Sequence, residues 1–171
     1  MVYGAGGASR AAIYALWAKL QCSQIYLVNR DDREVQEVIE EVQRLPDQYL
    51  PKVIHVKTVA ECKDLPAPYY TVCTVPDFKP ATSEELEARD VFKDFLVKGE
   101  GNGGLVLDMC YHPCMTRNLK LAVELGYKII QGHSVSAAQF AVQWKLWTGE
   151  DIEMKPVYDM VEKLVHDRES E

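Results

Sequence analysis

The chain has 171 residues, 47% of them apolar, and a formal net charge of −7. That length suits one domain with a substantial core, and no apolar run is long enough to span a membrane. The acidic balance, without a dense Lys/Arg stripe, argues against a nucleic-acid surface and requires any phosphate site to be built locally from backbone amides and Arg.

Val2-Tyr3 is the stub of a first strand, and it runs at once into the turn Gly4-Ala5-Gly6-Gly7-Ala8-Ser9. The spacing then predicts a helix over Arg10 to Leu20, with Ala11, Ala12, Ala15 and Leu16 on its packed side. Ile25–Val28 is a second strand. Asp31-Asp32 supplies an N-cap for a helix over Glu34–Leu45, in which Val35, Val38, Ile39 and Val42 fall at helical spacing, and Pro46 follows its end. Lys52–Val56 reads as a third strand, Val59–Leu65 as a short helical turn, and Tyr70–Val75 as a fourth strand stopped by Pro76.

Pro80-Ala81-Thr82-Ser83-Glu84-Glu85 reads as a capped helix start running on to Leu96, with Gly99–Gly104 a loop beyond it. Leu105–Met109 is a fifth strand, Met115–Leu125 a helix ended by Gly126, and Lys128–Ile130 a sixth strand. A long helix spans Ser134 to Trp147 and is closed by Thr148-Gly149. A last helix covers Val157–Val165, and the tail Asp167–Glu171 is expected to fray. Strand–helix alternation with short connections predicts an α/β fold: a doubly wound, mostly parallel sheet with helices on both faces.

Five cysteines, Cys22, Cys62, Cys73, Cys110 and Cys114, form an odd set without framework spacing, which points to reduced thiols in an intracellular protein. No basic segment precedes the first strand, so no signal peptide is expected. The abrupt lead into the glycine turn reads as the mark of a piece of a longer protein.

The glycine turn between a strand and a helix, with a second strand ending in Asn29-Arg30-Asp31-Asp32 about 20 residues later, is the pattern that holds a dinucleotide. Backbone N–H groups and the helix N-terminus meet the pyrophosphate, and the end of the second strand meets the adenosine ribose. Ser9 departs from the Gly or Ala usual at its position.

Further polar residues end the other strands. These are Thr74-Val75-Pro76-Asp77, Asp108-Met109-Cys110-Tyr111 and Gly132-His133-Ser134, with Gln139 one turn into the next helix, and they are expected to face one crevice. Cys110 to Cys114 lacks the second close pair that a zinc site needs. His112 and His133 read as solvated loop residues, and Phe140, Trp144 and Trp147 as core packing.

Together these motifs resemble the C-terminal, nucleotide-binding domain of the shikimate/quinate dehydrogenase family, in order and over nearly the whole chain. They are Gly4–Ala12, Val28-Asn29-Arg30, Asp108–Pro113, and Gln139 followed by Trp147-Thr148-Gly149. The wording Val75-Pro76-Asp77-Phe78 and Tyr111-His112-Pro113 is most similar to fungal quinate-pathway members. The resemblance implies a Rossmann-like fold. Gly4, Gly6 and Gly7 would lie at the pyrophosphate, with Ala5, Ala8 and Ser9 lining it and Asn29 and Arg30 at the ribose. Thr74, Val75 and Pro76 would line the cofactor site, and Gly132 would lie near the nicotinamide.

Tyr111 would meet substrate or nicotinamide, and Gln139 would hydrogen-bond a quinate- or shikimate-type substrate. Asp31, where NADP-dependent members carry Thr, implies NAD over NADP, because a carboxylate repels a 2′-phosphate. Val135-Ser136 replaces the family's Met-Leu. The family's catalytic Lys and Asp belong to an N-terminal substrate domain and map onto no residue here, so the domain taken alone is expected to bind nucleotide without turnover.

The resemblance implies an oxidoreductase of quinate metabolism or aromatic amino acid biosynthesis, cytoplasmic, in contact with or fused to other shikimate-pathway domains. The alternative is the matching pseudoenzyme domain of a fungal quinate-pathway repressor, which would be nuclear.

Overall fold

The computed structural model describes residues 1–45 and 51–169. Pro46, the expected helix stop, lies outside the described residues, as do Ser170 and Glu171. Six strands form one wholly parallel sheet: β1 (Val2–Tyr3), β2 (Gln24–Val28), β3 (Lys52–His55), β4 (Tyr70–Cys73), β5 (Leu105–Asp108) and β6 (Lys128–Ile130). Their order is β3-β2-β1-β4-β5-β6. β1 is central, with Val2 level with Leu27 of β2 on one side and Val72 of β4 on the other.

Successive strand residues point to opposite faces, so a strand covered on both sides is apolar throughout. In β2, Ile25 and Leu27 join Val2 in packing against Ala12, Ile13 and Leu16 from the first helical segment, and against Val35 and Val38 of α2 (Asp32–Gln43). Tyr26 and Val28 face the other way. With Tyr3 and Val106 they meet α4 (Ser83–Lys98) through Phe92, Phe95 and Leu96, α5 (Arg117–Glu124) through Leu119, and Cys62 of α3 (Val59–Cys62). Two ring stacks tie α4 to the sheet, Tyr3 on Phe92 at 4.8 Å and Tyr26 on Phe95 at 5.0 Å. Emptying either fully buried Phe site to Ala would cost about 3–5 kcal/mol.

Helix α1 (Gly7–Tyr14) starts three residues earlier than its apolar spacing indicates and widens into a π turn over Ala15–Lys19. The packed stripe also differs from the expected one. Ser9, Ala12, Ile13 and Leu16 are buried, whereas Ala11 and Ala15, expected on the packed side, are exposed. Elsewhere the caps fall as their chemistry predicts. Asp31 accepts from Arg33 N at the start of α2. Thr82 and Glu85 form a reciprocal capping box on α4, and Thr116 caps α5.

The sixth helix, α6 (Gly132–Thr148), ends at Gly149, whose φ of +78° is the left-handed conformation glycine supplies at a helix end. Helix α7 (Met154–Glu169) follows and is helical to the last described residue, so Asp167–Glu169, the described part of the stretch expected to fray, is helical. The α6 aromatics divide. Phe140 and Trp144 are half-buried with ring centroids 6.1 Å apart, but Trp147 is 73% exposed rather than in the core. No helix among the described residues is long and apolar enough to cross a membrane.

Candidate functional site

Sheet order reverses between β1 and β4, because the chain leaves β1 toward β2 and returns to the opposite side of β1 at β4. Connections that depart in opposite directions leave a crevice beyond the carboxyl ends of those strands. A cavity of about 310 Å³ lies there. Gly4, Ala5 and Gly6 form one part of its wall, Asn29, Arg30 and Glu34 a second, and Thr74–Pro80 with Glu85 a third.

Gly4 has φ +115°, and a Cβ on it would lie 2.4 Å from Thr74 Oγ1, so the end of β1 is pressed against the end of β4. Thr74 N and Oγ1 both donate to Tyr3 O, at 2.8 and 3.2 Å. By contrast, a Cβ on Gly6 would meet nothing within 4 Å and would project into open space, where a bare backbone lets a ligand approach. The first turn of α1 carries N–H groups without partners inside the helix, and α1 has no side-chain cap. This cradle suits an anionic pyrophosphate.

Ser9 lies outside the cavity lining, fully buried, with its hydroxyl donating to Gly6 O at 2.6 Å. That bond satisfies the hydroxyl and allows Ser at a close-packed position. Gly7 and Ala8 are exposed beside the turn. Arg10, which the fingerprint does not single out, braces the turn by donating to Gly6 O at 3.1 Å while paired with Glu41.

At the end of β2, Asn29 is buried and donates to Glu34 Oε2 at 2.7 Å and Asp31 O at 3.1 Å. Of the acids that follow β2, Glu34 is therefore the one that lines the cavity. Asp31 is turned aside, its carboxylate taken by Arg33 N at 2.8 Å and the Arg33 guanidinium at 3.2 Å, bonds that hold it below the usual carboxylate range. Arg30 reaches Glu85, whose carboxylate also accepts from Ala81 N and Thr82 N and is lowered by all three partners.

The loop after β4 is fixed to α5. Asp77 accepts from Arg117 N at 3.0 Å and pairs with its guanidinium at 3.2 Å, while Arg117 also donates to Asp77 O at 2.6 Å. Although the chain is acidic, Arg30, Lys79, Arg89 and Arg117 line the cavity against Glu34, Asp77 and Glu85. Local cations thus offset the long-range repulsion of an anion.

The remaining strand-end residues do not share this cavity. Asp108 is fully buried and accepts from Thr116 Oγ1 at 2.7 Å, Asn118 Nδ2 at 3.1 Å and Cys110 N at 3.0 Å, tying β5 to α5. Burial raises its pKa against those bonds. Tyr111 lines a second cavity of about 230 Å³ with His112, His133, Ser136 and the α7 residues Val161, Leu164 and Val165. His133 is not a solvated loop residue: it is 8% exposed, within α6, and its Nδ1 has no partner among the described residues. Gly132 seats α6 against the β5 loop, where a Cβ would lie 2.5 Å from Cys110 O. Gln139 is exposed on α6, outside both cavities. The expected single crevice is thus two cavities, because Asp108 turns inward and α7 closes over the Tyr111 side.

No protein-family model matches the chain. It is 35% identical over 168 residues to quinate dehydrogenase of Emericella nidulans, covering 96% of this chain and 50% of that protein. It superimposes on the dehydroquinate dehydratase and shikimate dehydrogenase from S. pombe AroM with a TM-score of 0.77 at 30% identity, covering 94% of this chain and 29% of the other. At 20% identity, the quinate dehydrogenase from Corynebacterium glutamicum solved with NAD shares the fold, with a TM-score of 0.67 over 92% of this chain and 52% of that one.

Strand order, fold and crevice define a Rossmann-type α/β domain. The chain matches the nucleotide-binding domain of shikimate/quinate dehydrogenases. It spans half the length of the quinate dehydrogenase it matches.

Proposed function

We propose that residues 1–171 are the dinucleotide-binding domain of a quinate or shikimate dehydrogenase and take NAD in preference to NADP. The observation that carries this reading is the cavity at the strand-order reversal. It gathers the Gly4–Gly6 turn, the Asn29-Arg30-Glu34 group and the Thr74–Pro76 segment around one space. Gly4, Gly6, Gly7 and the start of α1 hold the pyrophosphate, with Ala5, Ala8 and Ser9 shaping the turn. Asn29 and Arg30 meet the adenosine ribose.

The preference for NAD rests on carboxylates. Glu34 lines the cavity beside Asn29, and Asp31 neutralises Arg33, the next cation along the chain after Arg30. Both effects disfavour a second anion at the ribose.

The bound nucleotide would supply a hydride acceptor. Oxidation of a ring carbinol would send the C–H hydrogen with its bonding pair, as hydride, to that acceptor and the O–H proton to a base, leaving a ketone. On this reading Tyr111 and Gln139 help hold the substrate, Gly132 sets the wall near the nicotinamide, and the base comes from a substrate domain in the rest of the parent protein. The S. pombe chain, named for two activities, is a precedent for fusion to other pathway domains. No described residue specifically favours the repressor alternative.

Calorimetric titration with NAD and then NADP tests the reading. Saturable NAD binding with weaker NADP is expected, and a folded chain that binds neither would overturn it. The parent protein should then oxidise quinate or shikimate with NAD, and this chain alone should not.

A further inference from the structure

We propose that Phe78 is an aromatic platform on which the adenine ring of the nucleotide stacks, an inference that rests on the nucleotide reading above. The chain has four phenylalanines. Phe92 and Phe95 are fully buried, Phe140 is half-buried, and Phe78 is 81% exposed. Its exposure leaves the face of the ring free for a planar ligand to cover.

The loop that carries this ring is tightly held. Pro76 and Pro80 bracket it, and each fixes its own φ. Phe78 N donates to Pro76 O at 2.8 Å, and the adjacent Asp77 is bonded to Arg117 at the start of α5. The ring is therefore presented by a pre-organised backbone, which lowers the ordering cost of binding.

Its place identifies the ring it would meet. Phe78 lines the same cavity as Gly4, Asn29, Arg30 and Glu34, the pyrophosphate and ribose side of the site. Tyr111 and Gly132, the residues expected near nicotinamide, lie outside that cavity. Arg30 follows β2 and Phe78 follows β4, and those strands flank β1 on opposite sides. A flat base entering between them would have a guanidinium on one side and a phenyl ring on the other, and both stack well on a purine.

The test titrates the wild-type chain, Phe78→Ala and Phe78→Tyr with NAD and with ADP-ribose, which keeps the adenine and pyrophosphate but lacks nicotinamide. Phe78→Ala should weaken both ligands equally, on the order of tenfold, and Phe78→Tyr should restore both. Unchanged thermal unfolding would show that the exposed loop substitution leaves the fold intact. If Phe78→Ala binds both ligands as tightly as a wild-type chain that binds NAD, the platform is overturned while the cleft stands. Loss of NAD affinity alone would place the ring at the nicotinamide and overturn the adenine assignment. A wild-type chain that binds neither ligand overturns the cleft reading, and the platform with it.

Discussion

Arg30, just beyond β2, is ion-paired with Glu85 in the first turn of α4, so two residues 55 positions apart bridge the mouth of the cleft. The Arg30 side chain is 59% exposed, and solvent screens such a pair strongly. A ligand with competing oxygens can therefore recruit Arg30 at little cost. Glu85→Gln keeps a capping-box partner for Thr82 but removes the competing charge. We expect it to tighten nucleotide binding roughly twofold to fivefold, more at low salt. Titrations at two ionic strengths check this; weaker binding would instead make Glu85 a direct ligand contact.

Cofactor choice separates two acids that are three positions apart. Asp31→Thr preserves an N-cap for α2 and frees Arg33, whereas Glu34→Gln removes the charge inside the cavity. Both should raise NADP affinity relative to NAD, with the larger change at Glu34. If the ratio of the two dissociation constants is flat in both variants, the assignment of NAD preference is wrong.

Gly4→Ala should destabilise the fold. Its φ of +115° disfavours any side chain, and the new Cβ would lie 2.4 Å from Thr74 Oγ1 and 2.9 Å from Val75 Cγ1. A cost of about 1–3 kcal/mol is expected, which lowers the melting temperature by several degrees. Thermal unfolding measures it, and a melting temperature equal to wild type would contradict the close contact of β1 and β4.

Asp108 makes stability depend on pH. Burial raises its pKa above the ordinary 3.8, so the folded state holds the proton more tightly than the unfolded chain. Its contribution is therefore most favourable below 3.8 and is lost as pH rises through the folded value. Asp108→Asn removes that dependence, whatever constant offset it adds. Urea unfolding of both proteins across this range should show wild type losing stability relative to the variant as pH rises; parallel curves would rule this out.

Thiol reactivity should follow burial. Cys62 is pushed up to about 11 and Cys73 well above the ordinary thiol range, in both cases chiefly by desolvation, whereas Cys22 and Cys110 are half-buried. Native-state alkylation followed by peptide mass spectrometry should find Cys22 and Cys110 labelled first. Early labelling of Cys73 would be inconsistent with its place in the core.

Much of this architecture is readable from residue order. Continuous apolar runs such as Ile25–Val28 mark strands because both faces of a parallel sheet are buried, and Thr82 to Glu85 marks a helix start because its bonds are local. What escapes the sequence depends on contacts distant along the chain. Glu34 looks like one more solvated acid of α2 until Asn29 is seen to turn it into the cleft. Ser9 looks like a defect in a glycine fingerprint until its hydroxyl is found on Gly6 O. His133 resembles a loop residue because nothing local shows that α6 begins before it or that α7 covers it. Phe78 did leave a signal: a lone aromatic in a polar loop framed by Pro76 and Pro80.

The reversal between β1 and β4 also divides the labour of sequence change. The hollow above β1 follows from the path of the chain, so exchanging a side chain along its rim leaves the hollow in place. Arg30 and Glu34 follow β2 and Phe78 follows β4, and none of them belongs to the packed clusters on either face of the sheet. Such a scaffold can acquire a different cofactor through a few rim substitutions, each tolerated by the fold before its partner arrives.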